Sequence, residues 1–414
     1  MSANSANTLD TLNGLFKKIY ADEITELIPD GVKVLPMIPF SKKHQLGELF
    51  SVPVNLQMEH GITFAKSGDD AFMLNAPIAG RMKEAQVQGT QALLRSAIGY
   101  AAISRSQGGG DRAFKDATKH VVENMLRSMT KKLEIMALYG QIGYAVVDGT
   151  PGLNGNGEFQ FLVDEKEWAP GIWAGSEGLP LEFRNAAGST VRGSANVLKV
   201  DYENKAIILD SAVAGLADTD VVWHKGAYGN EFAGIHKILS NTGTLFGISA
   251  SDYSLWKGNT STLAASTPLS FTALQDAVAL AVGKGLDSKV TVLVNPDSWS
   301  DLLNQMNTLR KYDASYDKKV MENGSVAIKF FSQNGEMDIV PSIYVKRGYA
   351  YGIAPEQFER VGSTDITFKR PGKGDDFFRE LENNAGYELR AYSDQAIFCY
   401  KPGINFMVAN ITNG

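Results

Sequence analysis

The residue types that do chemistry are present in this chain but stand at none of the spacings that chemistry requires. His44, His60, His120, His224 and His236 lie far apart, without the spacing that brings two imidazoles onto one metal ion. There is no Gly-x-x-x-x-Gly-Lys phosphate loop, no Gly-x-Ser-x-Gly elbow and no His-Glu-x-x-His pair. The run Gly152-Leu153-Asn154-Gly155-Asn156-Gly157 is rich in glycine, but no helix comes after it to hold an anion, so it reads as a linker. Cys399, in Ala396-Ile397-Phe398-Cys399-Tyr400, sits in a strand-like run and reads as a packed, inert thiol. Asp69-Asp70 and Asp375-Asp376 could hold a cation or meet arginines across an interface; each reads more simply as a solvated turn. Trp168, Trp173 and Trp223 could form a sugar-binding platform, but in a small β-rich unit they read as core. The expectation is a protein that is not an enzyme, with no cofactor and no metal.

Composition agrees. The chain has 414 residues, 44% hydrophobic and 21% charged, with a net charge of -6. That balance argues against a basic DNA-holding surface, because neutralising phosphates needs clustered Lys and Arg. A single cysteine rules out a disulfide framework within the chain and fits a reducing compartment. The start, MSANSANTLD, lacks the blocks of a signal peptide, and no apolar run is long enough for a bilayer.

The elements must therefore carry the function. Asp111 to Tyr139 has apolar residues at Phe114, Ala117, Val121, Met125, Met129, Leu133, Met136 and Tyr139, the steps of three and four of one helix face. Asp111 can cap it, Gly140 comes directly after it, and Lys131 and Lys132 lie where positive charge meets the negative end of the dipole. At ~1.5 Å per residue this helix spans ~43 Å and needs a long partner to cover its stripe. His120 reads as a residue of its surface.

Before it, residues 1–48 read as an arm. Leu12, Leu15, Phe16, Ile19, Ile24 and Leu27 share roughly one side of a short helix, and Pro29, Pro36 and Pro39 keep the rest of the arm extended. Val52, Val54, Leu56 and Met58 then alternate with polar residues and predict a strand. A return strand runs through Ala85, Val87, Gly89 and Leu93, closing a long hairpin with a turn-rich middle. Two strands alone are marginal, so the hairpin is expected to dock on another surface.

After the helix, Glu158–Val163, Val197–Tyr202, Lys205–Asp210 and Asp220–Trp223 predict strands of a small β-rich module. GIHKIL and TGTLFGIS read as short strands or turns. A helical stripe through Leu274, Ala277, Val278, Ala281 and Val282 precedes the buried strand Val290–Val294, and Asn295-Pro296-Asp297 starts another helix. Residues 339–410 are strand-rich and are the candidate sheet for covering the long helix.

Arm, long hairpin, long helix, mixed lobe and late sheet, in that order, resemble the major capsid proteins of tailed bacteriophages. GIHKIL, LVNPDSWSDLL and YELRAYSDQAIFCYKPGINFMVA are similar to passages of that family, and the resemblance covers nearly the whole chain. It implies an α+β, Hong Kong 97-like capsid fold. Residues 1–48 would be the N-terminal arm, 49–105 the E-loop, 106–148 the spine helix of the peripheral domain, and 149–229 a β-rich insertion. Residues 230–270 and 349–414 would complete the peripheral domain, with 271–348 as the axial domain. The implied function is a virion protein, assembled in the host cytoplasm as hexamers and pentamers, that encloses double-stranded DNA without sequence-specific binding and without a membrane. A separate scaffolding protein, a portal and a decoration protein are the implied partners.

Interface candidates are Val52, Val54, Leu56 and Met58 of the hairpin and Leu12, Phe16 and Ile19 of the arm. Lys66 lies where some relatives carry a cross-linking lysine, but neither the partner asparagine nor the catalytic glutamate can be matched here, so that chemistry is not carried over. Three other readings are an encapsulin-like compartment of the same fold, a surface-binding protein built on the β module, and a hydrolase, which would need polar residues converging in a pocket.

Overall fold

The helical stripe read from the sequence is the covered side of the long helix. The computed structural model describes residues 30–45, 49–68, 71–99, 111–310, 328–333, 335–369, 379–381 and 386–413. Asp111–Tyr139 is one continuous helix. Met125, Met129, Leu133 and Tyr139 are buried, with Val121 and Met136 half-buried beside them. Its side chains from 111 to 119, the expected cap Asp111 among them, lie outside the described residues, as do Leu12, Phe16, Ile19, Asp69-Asp70 and Asp375-Asp376.

A five-stranded sheet covers that stripe. Its centre is the long strand Gly386–Cys399, which pairs antiparallel with Phe358–Thr367 and with Thr90–Gly99. Phe40–Gln45 joins Phe358–Thr367 in parallel, and Arg379–Glu380 adds a short edge. Met125 packs with Leu389, Ala391, Leu94 and Ile98, while Met129 and Leu133 enter the main core with Ala396, Ile397 and Phe398. The late strands thus cover the helix as expected, but they share the task with a strand expected in the hairpin. The chain breaks at Gln88-Gly89: Arg81–Val87 pairs with Phe50–Gln57, whereas Thr90–Gly99 crosses to the late strand. Gly89 lies at that crossing, where a Cβ would stand 2.2 Å from Asp394 Oδ1.

The arm also departs from its expected form. Val34–Met37 makes one helical turn instead of extended chain. A turn this short cannot satisfy its own first amides. Glu134, fully buried on the long helix, accepts the N–H groups of Lys33, Val34 and Leu35 at 2.8, 2.8 and 3.0 Å. GIHKIL is likewise helical, over Ile235–Ser240, because Ile235, Ile238 and Leu239 fall at the i, i+3, i+4 positions that a helix buries. TGTLFGIS gives the expected short strands, Thr244–Leu245 and Ile248–Ser249.

Six strands close into a barrel in the order Val221–His224, Ala145–Leu153, Phe159–Val163, Ala206–Leu209, Val191–Asp201 and Pro180–Arg184. Inside it Phe161 and Phe183 meet edge to face, with ring centroids 5.4 Å apart. Trp168, Trp173 and Trp223 are buried, so they are core and present no platform. The barrel is fastened to the body by backbone bonds from Gly171 to Ile343, Arg347 to Trp168 and Gly348 to Lys166.

A second sheet has six strands, in the order Asn259–Thr262, Phe406–Ala409, Tyr349–Ile353, Val290–Val294, Gly335–Pro341 and Ile328–Ser332. All five residues of Val290–Val294 are buried, as a strand covered on both faces requires. Leu274, Ala277, Val278 and Ala281 of the helix Phe271–Val282 pack on this sheet, and Ser270 caps that helix through Ala273 N–H at 3.1 Å. The helix Pro296–Arg310 starts where Asn295 accepts the Asp297 N–H at 3.0 Å.

Candidate assembly interface

The hairpin is built so that its root belongs to the body while its far part stands open. At the root, Phe50, Ala85 and Val87 are buried, and the Phe50 ring meets Phe398 edge-on at 5.3 Å. Gln86 donates its N–H to Phe246 O at 2.9 Å, and Lys83 Nζ lies 5.2 Å from the centre of the Tyr253 ring. Beyond the paired strands, the two arms are held together by His60 N–H to Ile78 O at 2.9 Å and by Asn75, whose N–H and side-chain amide donate to Thr63 Oγ1 and Ile62 O.

That far part is apolar. Phe64 is 89% exposed, Met73 93%, Leu74 77% and Met58 75%, and Ile62, Phe72, Ile78 and Met82 are exposed with them. Apolar side chains concentrated like this on a projecting element mark a surface that another molecule covers. Of the residues picked from the sequence, Val52, Val54 and Leu56 are half-buried against the chain's own core, and Met58 is exposed. Alternation did not point to the apolar pieces Ile62-Thr63-Phe64 and Phe72-Met73-Leu74. They were visible as runs of large apolar residues inside a turn-rich stretch, a combination that a solvated loop has no reason to carry. Lys66 is exposed on the same element. Away from the hairpin, Phe331 is 76% open on the edge strand Ile328–Ser332.

Titratable groups also cluster away from the hairpin, around a buried lysine. Lys346 is buried, and its ammonium meets Glu167 at 2.5 Å and Gly143 O at 3.3 Å. Tyr349 donates to the same carboxylate at 2.8 Å, and Tyr139 accepts the Lys346 N–H at 2.8 Å while donating to Tyr344 O at 2.9 Å. Burial alone would push Glu167 up, but the Lys346 ammonium and the two hydrogen bonds outweigh it and hold the carboxyl low. His236, 2.8 Å from Tyr351 Oη, is held down at about 4 by burial and by Lys346. Burial pushes the Cys399 thiol well above its usual range. Among the described residues, no group of three or more His, Cys, Asp or Glu is placed to hold a metal ion. No helix among them is long and apolar enough to cross a membrane.

Lys131 and Lys132 do not serve the helix dipole. They turn sideways into the junction with the barrel, where Lys131 donates to Ala174 O and Lys132 Nζ lies 3.2 Å from His224 Nε2. His224 stacks on Tyr144 at 4.0 Å.

No family model matches the sequence, and no curated protein matches it. Solved structures do match. The chain is similar to the capsid protein of cyanophage A-1(L), with a TM-score of 0.56 and 12% identity over 98% of this chain and 100% of that one. It is similar to the capsid protein of a native GTA particle, with a TM-score of 0.51 and 7% identity over 99% and 100% of the two chains. Identity this low speaks for fold alone, and the fold is that of the Hong Kong 97-type capsid proteins of tailed phages.

Proposed function

From a phage capsid fold carrying an open apolar hairpin, we propose that this chain is the major capsid protein of a tailed bacteriophage. It assembles as hexamers and pentamers into an icosahedral head that encloses double-stranded DNA. The observation that carries this reading is the hairpin: a strand pair whose root is locked into the body while Phe64, Met73 and Leu74 find no cover among the described residues. In this reading residues 49–105 are the E-loop and the long helix is the spine of the peripheral domain. Residues 271–348 gather around the symmetry axes. Each hairpin lies on a neighbouring subunit, and many modest contacts sum to a stable shell. The acidic balance suits the task, since DNA packed inside a head need not be gripped and a basic wall would impede its entry. Scaffolding, portal and decoration proteins are separate partners in this scheme.

Deleting residues 59–84 tests it. The deletion removes the apolar far part and leaves most of the root, so a soluble, folded chain that forms no shells is the expected product. Normal particles from the deletion would refute the role given to the hairpin.

A further inference from the structure

The methionines divide sharply by exposure. Met125, Met129, Met337 and Met407 are buried, and Met37, Met136 and Met306 are half-buried. Among the described residues the exposed methionines are Met58, Met73 and Met82, at 75%, 93% and 64%, and all stand on the projecting hairpin. Met58 directly follows the strand Phe50–Gln57, Met82 is the second residue of the return strand Arg81–Val87, and Met73 lies between them beside Phe72 and Leu74. The one cysteine, Cys399, is buried. Among the described residues, then, the sulfur-bearing side chains most open to solvent are these three.

A thioether suits a surface that another molecule covers. It is apolar, unbranched and polarisable, and it fills irregular gaps in whatever packs on it. It is also open to oxidation by a peroxide: one oxygen atom passes to sulfur, the O–O bond breaks as the S–O bond forms, and water is the other product. Sulfur gives up two electrons and the peroxide takes them. The sulfoxide is polar, and its oxygen loses its hydrogen bonds to water when apolar surface closes over it. Oxidation thus turns a group that favours docking into one that opposes it.

We propose that Met58, Met73 and Met82 are the oxidation sites of this chain, at which hydrogen peroxide makes sulfoxides that stop the hairpin of a free subunit from docking on a neighbouring copy. The proposal rests on the capsid reading and adds to it a redox control of assembly. A hairpin already covered by a neighbour is shielded, so the control acts before the shell closes and not after.

The test treats the full-length chain briefly with hydrogen peroxide before assembly, removes the peroxide with catalase, and maps sulfoxides by mass spectrometry. Met58, Met73 and Met82 are expected to carry the added oxygen while Met125, Met129, Met337 and Met407 do not, which also reports that the chain is still folded. Electron microscopy should then show loss of shells from the oxidised native chain. A chain carrying Met58→Leu, Met73→Leu and Met82→Leu, swaps that keep side-chain volume, should form shells with or without peroxide. Methionine sulfoxide reductases should restore shells to the oxidised native chain, and this arm decides the matter if the leucine variant forms none. Normal shells built from chains oxidised at all three positions overturn the proposal. So does equal loss in the leucine variant, failure of the reductases to restore shells after they have reduced the three sulfoxides, or oxidation spread evenly over the buried methionines. An untreated chain that forms no shells refutes the capsid reading, and this proposal with it, so the two failures are told apart.

Discussion

Glu231 is buried beside the hairpin root, where its carboxylate accepts the Gln141 N–H at 3.2 Å, and burial raises its pKa from 4.5 to about 7. That shift fixes the sign of a pH effect. Below pH 4.5 the group is neutral in both states and costs nothing; between 4.5 and about 7 the unfolded chain ionises first, so stability falls as pH rises. The loss is on the order of 3 kcal/mol, and Glu231→Gln should flatten that slope in denaturation curves measured across the window. Lys346 and Glu167 show the opposite case, a buried pair whose charges are matched. Lys346→Met leaves the Glu167 carboxylate without its ammonium, with Tyr349 still donating to it, and should cost about 3–5 kcal/mol in urea unfolding, while adding Glu167→Gln should restore most of it.

Among the elements, the long helix was legible because its stripe repeats over the whole length, and the buried strand Val290–Val294 because it is wholly apolar. Features that depend on distant groups were not legible. The turn Val34–Met37 exists because Glu134, a hundred residues away, caps it, and the break at Gly89 exists because the late strand draws Thr90–Gly99 away from the hairpin. The open apolar part of the hairpin was half legible. Alternation marked Val52, Val54 and Leu56, but only the fold shows that these pack on the body while Phe64 and Met73 do not. The end of the long helix depends on a similar close approach: a Cβ on Gly234 would stand 2.6 Å from Gly140 N and 2.8 Å from the Leu138 carbonyl carbon. Backbone cannot step aside as a side chain can, so Gly234→Ala should destabilise by about 1–3 kcal/mol, read as a lowered Tm.

At the scale of the whole molecule, two sheets, a barrel and a long helix make a body with a buried core, and a hairpin projects from it with its apolar end open. A chain that acted alone would have no use for such an element, and a shell of many copies would. The most direct measurement is electron microscopy of the purified protein, expressed alone and together with the products of its neighbouring genes. Closed icosahedral shells, or free hexamers and pentamers, are the predicted result. A dispersed monomer under both conditions would contradict the capsid assignment.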